Sequence, residues 1–496
     1  MGTWGRLRRA LAALVVVGAA TTGLAGTGAG AGAAAPAGAD SADGAGAAHE
    51  ARPGPDPGSY EPGSYTGSID GADYRVEVPE GWNGTLLLYS HGYFPPAFPV
   101  EGIQVTNSVP AETWLLDHGY ALAASNFVSP YGFQVEQGYA DQLALLDWFD
   151  ANVAEPQRVI ATGQSMGGVI ATRLGEEHPG RIDGVAAVCA AHDANATMNT
   201  GLDVVFAVKV LLAPDEDIEL VHSSDPAADT AALLAAVERA RLTEEGRARL
   251  ALVASLNNVT GWWSALQARP TDPEVIIQQQ TNWISGAYVG GFAGPNARAD
   301  LEARLGGNPS TNVGVDYARQ VQRSSQTEAV RDAYRRADIS LRDDLARLAA
   351  APRIAADPAA AERMADVGTP SGRLRVPLVT IQTVGDGGAP PDQGRWYADE
   401  VREHGGRDLV RQLYVDRGQH CSLSAADEVT AVETLVRRIE DRRWPDTAPR
   451  RLNATVGRFA PEYQVVLDLS TYPFPTAQMP PAFTRFTPPD LLRPTH

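Results

Sequence analysis

The chain has 496 residues, which is enough for one large domain with a sizeable insertion or for two domains. Its formal net charge is −19, and Lys209 is its only lysine. The sequence contains no basic run that would neutralise phosphates, so the composition argues against a nucleic-acid partner and indicates a well-solvated acidic surface.

The N-terminal residues have the pattern of an export signal. Three arginines precede an apolar run over residues 10–20, which is too short to span a bilayer easily as a membrane anchor. We therefore predict a signal peptide over residues 1–35 and a disordered leader, rich in Gly, Ala and Pro, over residues 36–59. The mature protein is expected to be secreted, extracellular or periplasmic, with no integral membrane segment.

Residues 60–194 alternate between strand and helix patterns. Helical periodicity covers residues 112–118 and 137–153. Short apolar runs or alternating patterns predict strands at residues 74–78, 85–89, 120–124, 158–162 and 184–190. Such alternation predicts an α/β fold, with a doubly wound, mostly parallel sheet covered by helices on both faces.

Residues 195–375 lack a strong strand pattern and are dominated by helical segments, which predicts a large helical cap inserted before the penultimate strand. The strand–helix pattern resumes over residues 376–445, with strands at 377–383 and 409–415. Residues 446–496 form a tail rich in Pro and Phe, which either wraps the body or is mobile.

One motif within the first half suggests nucleophilic catalysis. Gly163-Gln164-Ser165-Met166-Gly167 is a G-x-S-x-G sequence between an apolar strand and a helix. A serine on such a sharp turn projects its hydroxyl out of the fold, where a base and a substrate can reach it. Gly163 and Gly167 are the small residues that the close approach of strand and helix requires. The alternative is a structural turn without catalytic role.

A nucleophilic serine needs a base within hydrogen-bond reach, and the base needs a carboxylate that orients it. Of the nine histidines, His420 stands where a base is expected, in a glycine-containing loop between the strand at 409–415 and a helix. His192, which follows the strand at 184–190, is its main rival. Asp386 lies just past the strand at 377–383, on a Gly-rich turn, although an aspartate also occurs simply because it makes turns.

Two other aspartates, Asp392 and Asp193, compete with Asp386 as the orienting carboxylate. Asp416 is too close in sequence to His420 to orient it. The tetrahedral intermediate also needs hydrogen-bond donors, for which we choose the backbone N–H groups of Met166 and Tyr93. The side chain of His91, two residues before Tyr93, is expected to pack under the loop.

These residues resemble the α/β-hydrolase family. The matching parts are Ser90-His91-Gly92-Tyr93, the turn from Gly163 to Gly167, the Gly385-Asp386 turn and Gly418-Gln419-His420, in the order Ser, Asp, His. The resemblance implies hydrolysis of an acyl bond through an acyl-enzyme, with Ser165 as nucleophile, His420 as acid and base, and Asp386 as orienter. It implies no cofactor.

The two cysteines, Cys189 and Cys421, both fall at the edge of the sheet where these residues lie. A pair of cysteines in an exported protein favours a disulfide, and the alternative is a buried thiol at Cys189 with an incidental Cys421. No Cys/His cluster has the spacing of metal ligands, so no metal site is predicted.

Three functions fit these residues. The first is a secreted carboxylic-ester hydrolase acting on a small-molecule substrate. The second is a serine peptidase of the aminopeptidase kind, in which Asp193 or Glu136 would hold the amine of a peptide. The third is a non-catalytic binding protein on a hydrolase scaffold. The sequence does not indicate an oligomeric state.

Overall fold

The computed structural model describes residues 60–95 and 100–495. The predicted signal peptide and the predicted leader lie outside these residues. The described part of the chain contains one large sheet with helices on both faces and a long helical segment between two of its strands.

Nine strands form the large sheet. Its order is β1-β2-β4-β3-β5-β6-β7-β8-β11, in which the strands from β3 to β8 are parallel and β1, β2 and β11 are antiparallel to their neighbours. The strands are β1 Gly63–Ile69, β2 Ala72–Val78, β3 Thr85–Ser90, β4 Ala121–Ser125, β5 Arg158–Gln164, β6 Gly184–Val188, β7 Leu378–Gly385, β8 Val410–Gly418 and β11 Phe483–Thr484. Two further short strands, β9 Val465–Leu467 and β10 Thr476–Gln478, pair with each other.

The sheet is buried on both faces, and its central strands are largely apolar. All six residues of β3 are buried. Leu86 and Leu88 belong to one hydrophobic cluster, whereas Leu87 and Tyr89 belong to another on the opposite face. The predicted doubly wound, mostly parallel sheet is therefore confirmed.

Five helices pack around the sheet. The cluster that contains Leu86 and Leu88 includes residues of α2 Val135–Asn152, α3 Met166–Glu177 and α13 Asp392–Glu403. The cluster on the opposite face includes residues of α1 Val109–Asp117 and α14 Ala425–Asp441. Each crossover places the next parallel strand beside an earlier one, so the loops after these strands meet at one edge of the sheet.

The chain between β6 and β7 is helical and has a hydrophobic cluster of its own. Its helices are α4 Ala194–Leu212, α5 Pro226–Ala240, α6 Glu244–Ser255, α7 Pro273–Trp283, α8 Pro295–Leu305, α9 Tyr317–Arg323, α10 Thr327–Arg336, α11 Leu341–Ala350 and α12 Pro358–Gly368. A π-helical turn, Ile284–Phe292, extends α7. We call residues 194–368 the helical insertion.

The C-terminal residues contact both the sheet and the helical insertion. After α15 Pro449–Val456, β11 pairs with β8, joining Phe483 to Val415 in register. Near the end of the chain, Arg493 Nη1 binds the buried Asp203 Oδ2 of α4 at 2.8 Å. No helix within the described residues is both long enough and apolar enough to cross a bilayer.

Candidate active site

Ser165 lies on the turn between β5 and α3. Its backbone has φ 54° and ψ −117°, a conformation that costs a non-glycine residue on the order of 1–3 kcal/mol. A Cβ at Gly163 would overlap the backbone of Gly167, and a Cβ at Gly167 would overlap the carbonyl oxygen of Ser90. Both glycines of the motif are therefore sterically required, because strand, helix and the loop after β3 touch there.

His420 reaches Ser165 from the loop between β8 and α14. Its Nε2 lies 2.9 Å from Ser165 Oγ, and its ring is only 2 % exposed. The flanking residues Gln419 and Cys421 both have a positive φ, of 68° and 56°, so the loop turns sharply around the histidine. The geometry allows the serine hydroxyl to donate to Nε2 when the imidazole carries its proton on Nδ1.

Asp386 completes the arrangement from the turn after β7. Its Oδ2 lies 2.6 Å from His420 Nδ1, and its side chain is fully buried. Oδ1 accepts hydrogen bonds from the backbone N–H groups of Gly388 and Ala389, each at 2.9 Å. These donors compensate the burial of a carboxylate and hold it so that one oxygen faces the imidazole.

The structure therefore brings Ser165, His420 and Asp386 into one hydrogen-bonded chain, although 255 residues separate serine from histidine. In such a chain a proton passes from the hydroxyl to the imidazole while the carboxylate stabilises the imidazolium that forms. Chemically, the arrangement can activate a hydroxyl for attack on an acyl carbon.

The rival histidine is committed elsewhere. His192 stacks on Tyr397 with ring centroids 4.8 Å apart, and its Nδ1 lies 3.5 Å from Thr172 Oγ1. Burial lowers the pKa of His192 to about 3, so its ring is neutral near pH 7.

The rival aspartates also have other partners. Asp193 caps α4 by accepting from Ala196 N at 2.8 Å, and it accepts from Thr495 Oγ1 at 2.7 Å. Asp392 accepts from Asn258 Nδ2 at 3.1 Å, and burial raises the pKa of Asp392 to about 7. No hydrogen bond joins either of them to His420 within the described chain.

His91 packs under its loop, as the sequence indicated for its side chain. The ring stacks on Phe127 at 4.2 Å and on Phe94 at 5.1 Å. Burial lowers the pKa of His91 to about 4, so this ring is also neutral near pH 7.

Of the two residues chosen as oxyanion donors, one adjoins Ser165 and the other lies in the loop after β3. Met166 directly follows Ser165 as the first residue of α3. Tyr93 is half-buried in the loop after β3, three residues beyond the Ser90 carbonyl that Gly167 abuts. The use of their N–H groups as oxyanion donors stays a prediction.

Cys189 and Cys421 are joined by a disulfide with a Cα–Cα distance of 5.4 Å. The bond ties the end of β6 to the residue after His420. His420 and the two sulfurs also form a group of potential metal ligands, but both sulfurs are in the disulfide and both imidazole nitrogens have protein partners.

Several residues that hold the Asp386 and His420 loops come from the helical insertion and were not identified from the sequence. Thr260 Oγ1 donates to Gly385 O at 2.7 Å, and Tyr288 Oη donates to Gly387 O at 2.8 Å. Gln419 Nε2 donates to Trp263 O at 2.8 Å. Among these residues, only Gln419 could have been noticed in the sequence, because it is a polar residue directly before His420. The others lie far from Asp386 and His420 in the chain.

Comparison with known proteins places these features in context. Residues 134–286 match the family model described as serine aminopeptidase, S33. Over 413 residues, covering 78 % of this chain and 89 % of its relative, the chain is 29 % identical to an o-phthalyl amidase from Xanthobacter agilis.

Two solved structures are also similar to the chain. An enol-lactonase from Burkholderia xenovorans is 16 % identical with a TM-score of 0.34, and the match covers 76 % of this chain and 98 % of that protein. An esterase from Pyrococcus furiosus is 12 % identical with a TM-score of 0.35, covering 78 % and 93 %.

The parallel sheet, the serine turn between strand and helix, and the match to the serine aminopeptidase model agree with the resemblance seen in the sequence. The architecture of the chain is that of the α/β-hydrolase fold.

Proposed function

We propose that this hydrolase cleaves the acyl bond of a small carboxylic ester or amide through an acyl-enzyme on Ser165. The observation that supports the proposal is the buried hydrogen-bonded chain from Ser165 through His420 to Asp386. A serine hydroxyl becomes a useful nucleophile when a base so placed can take its proton.

The reaction follows from the geometry. Ser165 Oγ attacks the carbonyl carbon while its proton passes to His420 Nε2, and the imidazolium that results donates from Nδ1 to Asp386. The tetrahedral intermediate collapses when His420 returns the proton to the leaving alcohol or amine. Water then attacks the acyl-enzyme with His420 again as base, which releases the acid and restores the hydroxyl of Ser165.

The developing oxyanion needs donors that are already in place. We propose the backbone N–H groups of Met166 and Tyr93 for this role, because Met166 follows Ser165 directly and Tyr93 lies in the loop after β3, whose Ser90 carbonyl abuts Gly167. Removal of one such donor typically costs on the order of 100- to 1,000-fold in kcat.

Amide hydrolysis is the second candidate for the chemistry, and it is favoured by a different observation. The relative that aligns over most of the chain is an o-phthalyl amidase, whose name specifies an amide. The sequence pattern alone had favoured an ester. An amide places a greater demand on His420, because the amine must be protonated as it leaves.

The aminopeptidase alternative has less support. Asp193 is used in capping α4 and in binding Thr495. Glu136 is exposed and pairs with Arg363 at 2.7 Å. Neither of the two acidic residues that the sequence suggested is therefore free to hold the amine of a peptide.

The test measures hydrolysis of three substrates by the wild type and by Ser165→Ala. The substrates are the phenyl ester of benzoic acid, the anilide of benzoic acid and the matching anilide of o-phthalic acid. Wild type should hydrolyse at least one of them, and Ser165→Ala should reduce the rate about 1,000-fold or more. Preference for the anilides in kcat/KM identifies an amidase, and preference for the ester identifies an esterase. Hydrolysis that persists in the folded Ser165→Ala variant would refute the proposal. If the wild type hydrolyses none of the substrates and is not labelled by a fluorophosphonate, the result favours the non-catalytic alternative.

We also propose that the protein is exported. The proposal rests on the arginines and the apolar run at the N-terminus, and a disulfide is compatible with an oxidising compartment. Expression in a secreting host should release a protein that begins at or after about residue 35. Retention of the intact N-terminus inside the cell would contradict export.

A further inference from the structure

The turn that carries Asp386 has little in its own sequence to fix its shape. It continues as Gly387-Gly388, and glycines lose more conformational freedom on ordering than any other residue. Yet the N–H groups of Gly388 and Ala389 must point at Asp386 Oδ1 for Oδ2 to face His420. Gln382 of β7 donates to the Ala389 carbonyl and so fixes the far end of the turn, whereas the Gly387–Gly388 peptide has to be held from outside.

The helical insertion supplies that support at the centre of the turn. Tyr288 Oη donates to the Gly387 carbonyl at 2.8 Å and accepts from Asn257 Nδ2 at 2.8 Å. Tyr288 is fully buried, so water does not replace this bond when it is lost. The bond fixes the Gly387–Gly388 peptide unit, whose N–H donates to Asp386 Oδ1.

The other face of the turn is closed by an indole. A Cβ at Gly387 would come within 2.7 Å of the ring of the buried Trp283, and one at Gly388 would lie 3.4 Å from His420 Cγ. Trp283 and Tyr288 both come from the insertion, on α7 and the π-helical turn that follows it. The turn is thus held between the insertion and the imidazole.

We propose that Tyr288 is a positioning residue for the Asp386–His420 pair: its hydroxyl holds the Gly387 peptide so that the carboxylate is aimed at His420 Nδ1. The inference rests on the proposed function. It gives the helical insertion a role in catalysis beyond covering the site, since the carboxylate of Asp386 is oriented by Tyr288, which lies 99 positions before Gly387 in the chain.

The test is Tyr288→Phe, which removes one oxygen and keeps the ring. A misaligned carboxylate weakens proton transfer in the transition state but leaves substrate binding alone, so kcat should fall about 10- to 100-fold while KM changes less than about twofold. The matched control is Tyr334→Phe, another buried tyrosine of the insertion, whose hydroxyl binds Asp344 Oδ2 at 3.0 Å. The control should lower Tm by a similar amount and leave kcat unchanged.

A second variant acts on the same turn from a different side. Thr260→Val removes the hydroxyl that donates to Gly385 O at 2.7 Å, and it should also lower kcat more than KM rises. It provides the measurement if Tyr288→Phe does not fold.

Two results would overturn the inference. Unchanged kcat in a folded Tyr288→Phe with the same loss of Tm as Tyr334→Phe would make Tyr288 merely structural. A rise in KM with kcat unchanged would make it a substrate contact. Ser165→Ala on the same substrate keeps the two proposals apart, because it abolishes turnover if the serine mechanism holds, whatever Tyr288 does.

Discussion

At the scale of single residues, the serine turn requires glycine at positions 163 and 167, because neither position has room for a Cβ. Gly167 abuts the Ser90 and His91 carbonyls, which belong to the backbone of a buried strand and its loop and cannot move aside. Gly167→Ala should therefore leave the protein poorly folded or reduce kcat at least about 100-fold, because Ser165 would be displaced from His420. Activity and circular dichroism measure the effect.

Gly180→Ala is the control for that substitution. A Cβ at Gly180 has no neighbour within 4 Å, so this variant should behave as wild type. A fully active Gly167→Ala would contradict the close approach of strand, helix and loop on which the position of Ser165 depends.

A second residue, Glu428, makes the stability of the fold depend on pH. Burial raises the pKa of Glu428 from 4.5 to about 8. A carboxyl whose pKa is higher in the folded state contributes stability below its unfolded pKa, and that contribution is lost as the pH rises through the folded pKa. Glu428→Gln should therefore match wild type near pH 4 and be more stable than wild type, by on the order of several kcal/mol, near pH 9.

Urea unfolding at these two pH values measures the difference, with Glu403→Gln on the exposed end of α13 as the control. A constant difference between wild type and Glu428→Gln at both pH values would show that burial does not raise the pKa of Glu428. Glu428 lies in the first turn of α14.

At the scale of elements, the disulfide fixes the His420 loop to the end of β6. It joins residues 232 positions apart and is adjacent to the histidine. The double variant Cys189→Ser, Cys421→Ser should lower the free energy of unfolding by about 2–5 kcal/mol and lower kcat, because the loop gains freedom. Chemical reduction of wild type should reproduce both effects, and unchanged stability and kcat after verified reduction would contradict them.

The sequence predicted the elements that have a strong internal pattern. The apolar pattern over residues 85–89 was found as β3, and the helical pattern over residues 137–153 was found as α2. β1 was missed because its sequence, GSYTGSI, is mostly exposed and shows no apolar alternation. β11 was missed because two residues carry no period, and its position depends on pairing with β8.

The candidate site was found as far as local sequence defines it. Ser165, Asp386 and His420 each follow a strand within a Gly-containing turn, so strand position, the G-x-S-x-G motif and the order of the three residues in the chain indicated them. Tyr288 was not indicated, because its contact with Gly387 exists only once the insertion has folded onto the sheet. Long-range packing of this kind leaves no trace in the neighbouring residues.

At the scale of the whole molecule, the C-terminal residues join the helical insertion to the body. Arg493 Nη1 pairs with the fully buried Asp203 of α4, and Arg493 Nη2 donates to Thr311 O at 2.8 Å. Thr495 N donates at 2.8 Å to Oδ2 of Asp193, the residue directly before α4. Arg493→Met would leave a buried carboxylate without its cation, and should lower the free energy of unfolding by about 3–5 kcal/mol.

Urea unfolding of Arg493→Met, Asp203→Asn and the double variant checks this prediction. The double variant should lose less than the sum of the single variants, because removing both partners leaves no unpaired charge. Arg450→Met, at an exposed position near the start of α15, is the control. A loss no greater than that of Arg450→Met would contradict a supporting role for the C-terminal residues.

The most direct test of the central claim is to locate the acyl group on the protein. The protein reacts briefly with the preferred substrate, is quenched with acid and is cleaved after its arginines. The peptide of residues 159–173 should then carry the mass of the acyl group on Ser165. The adduct should be absent in Ser165→Ala and strongly reduced in His420→Ala. An acyl group found on another residue, or turnover by wild type that shows burst kinetics without any adduct on Ser165, would contradict the account.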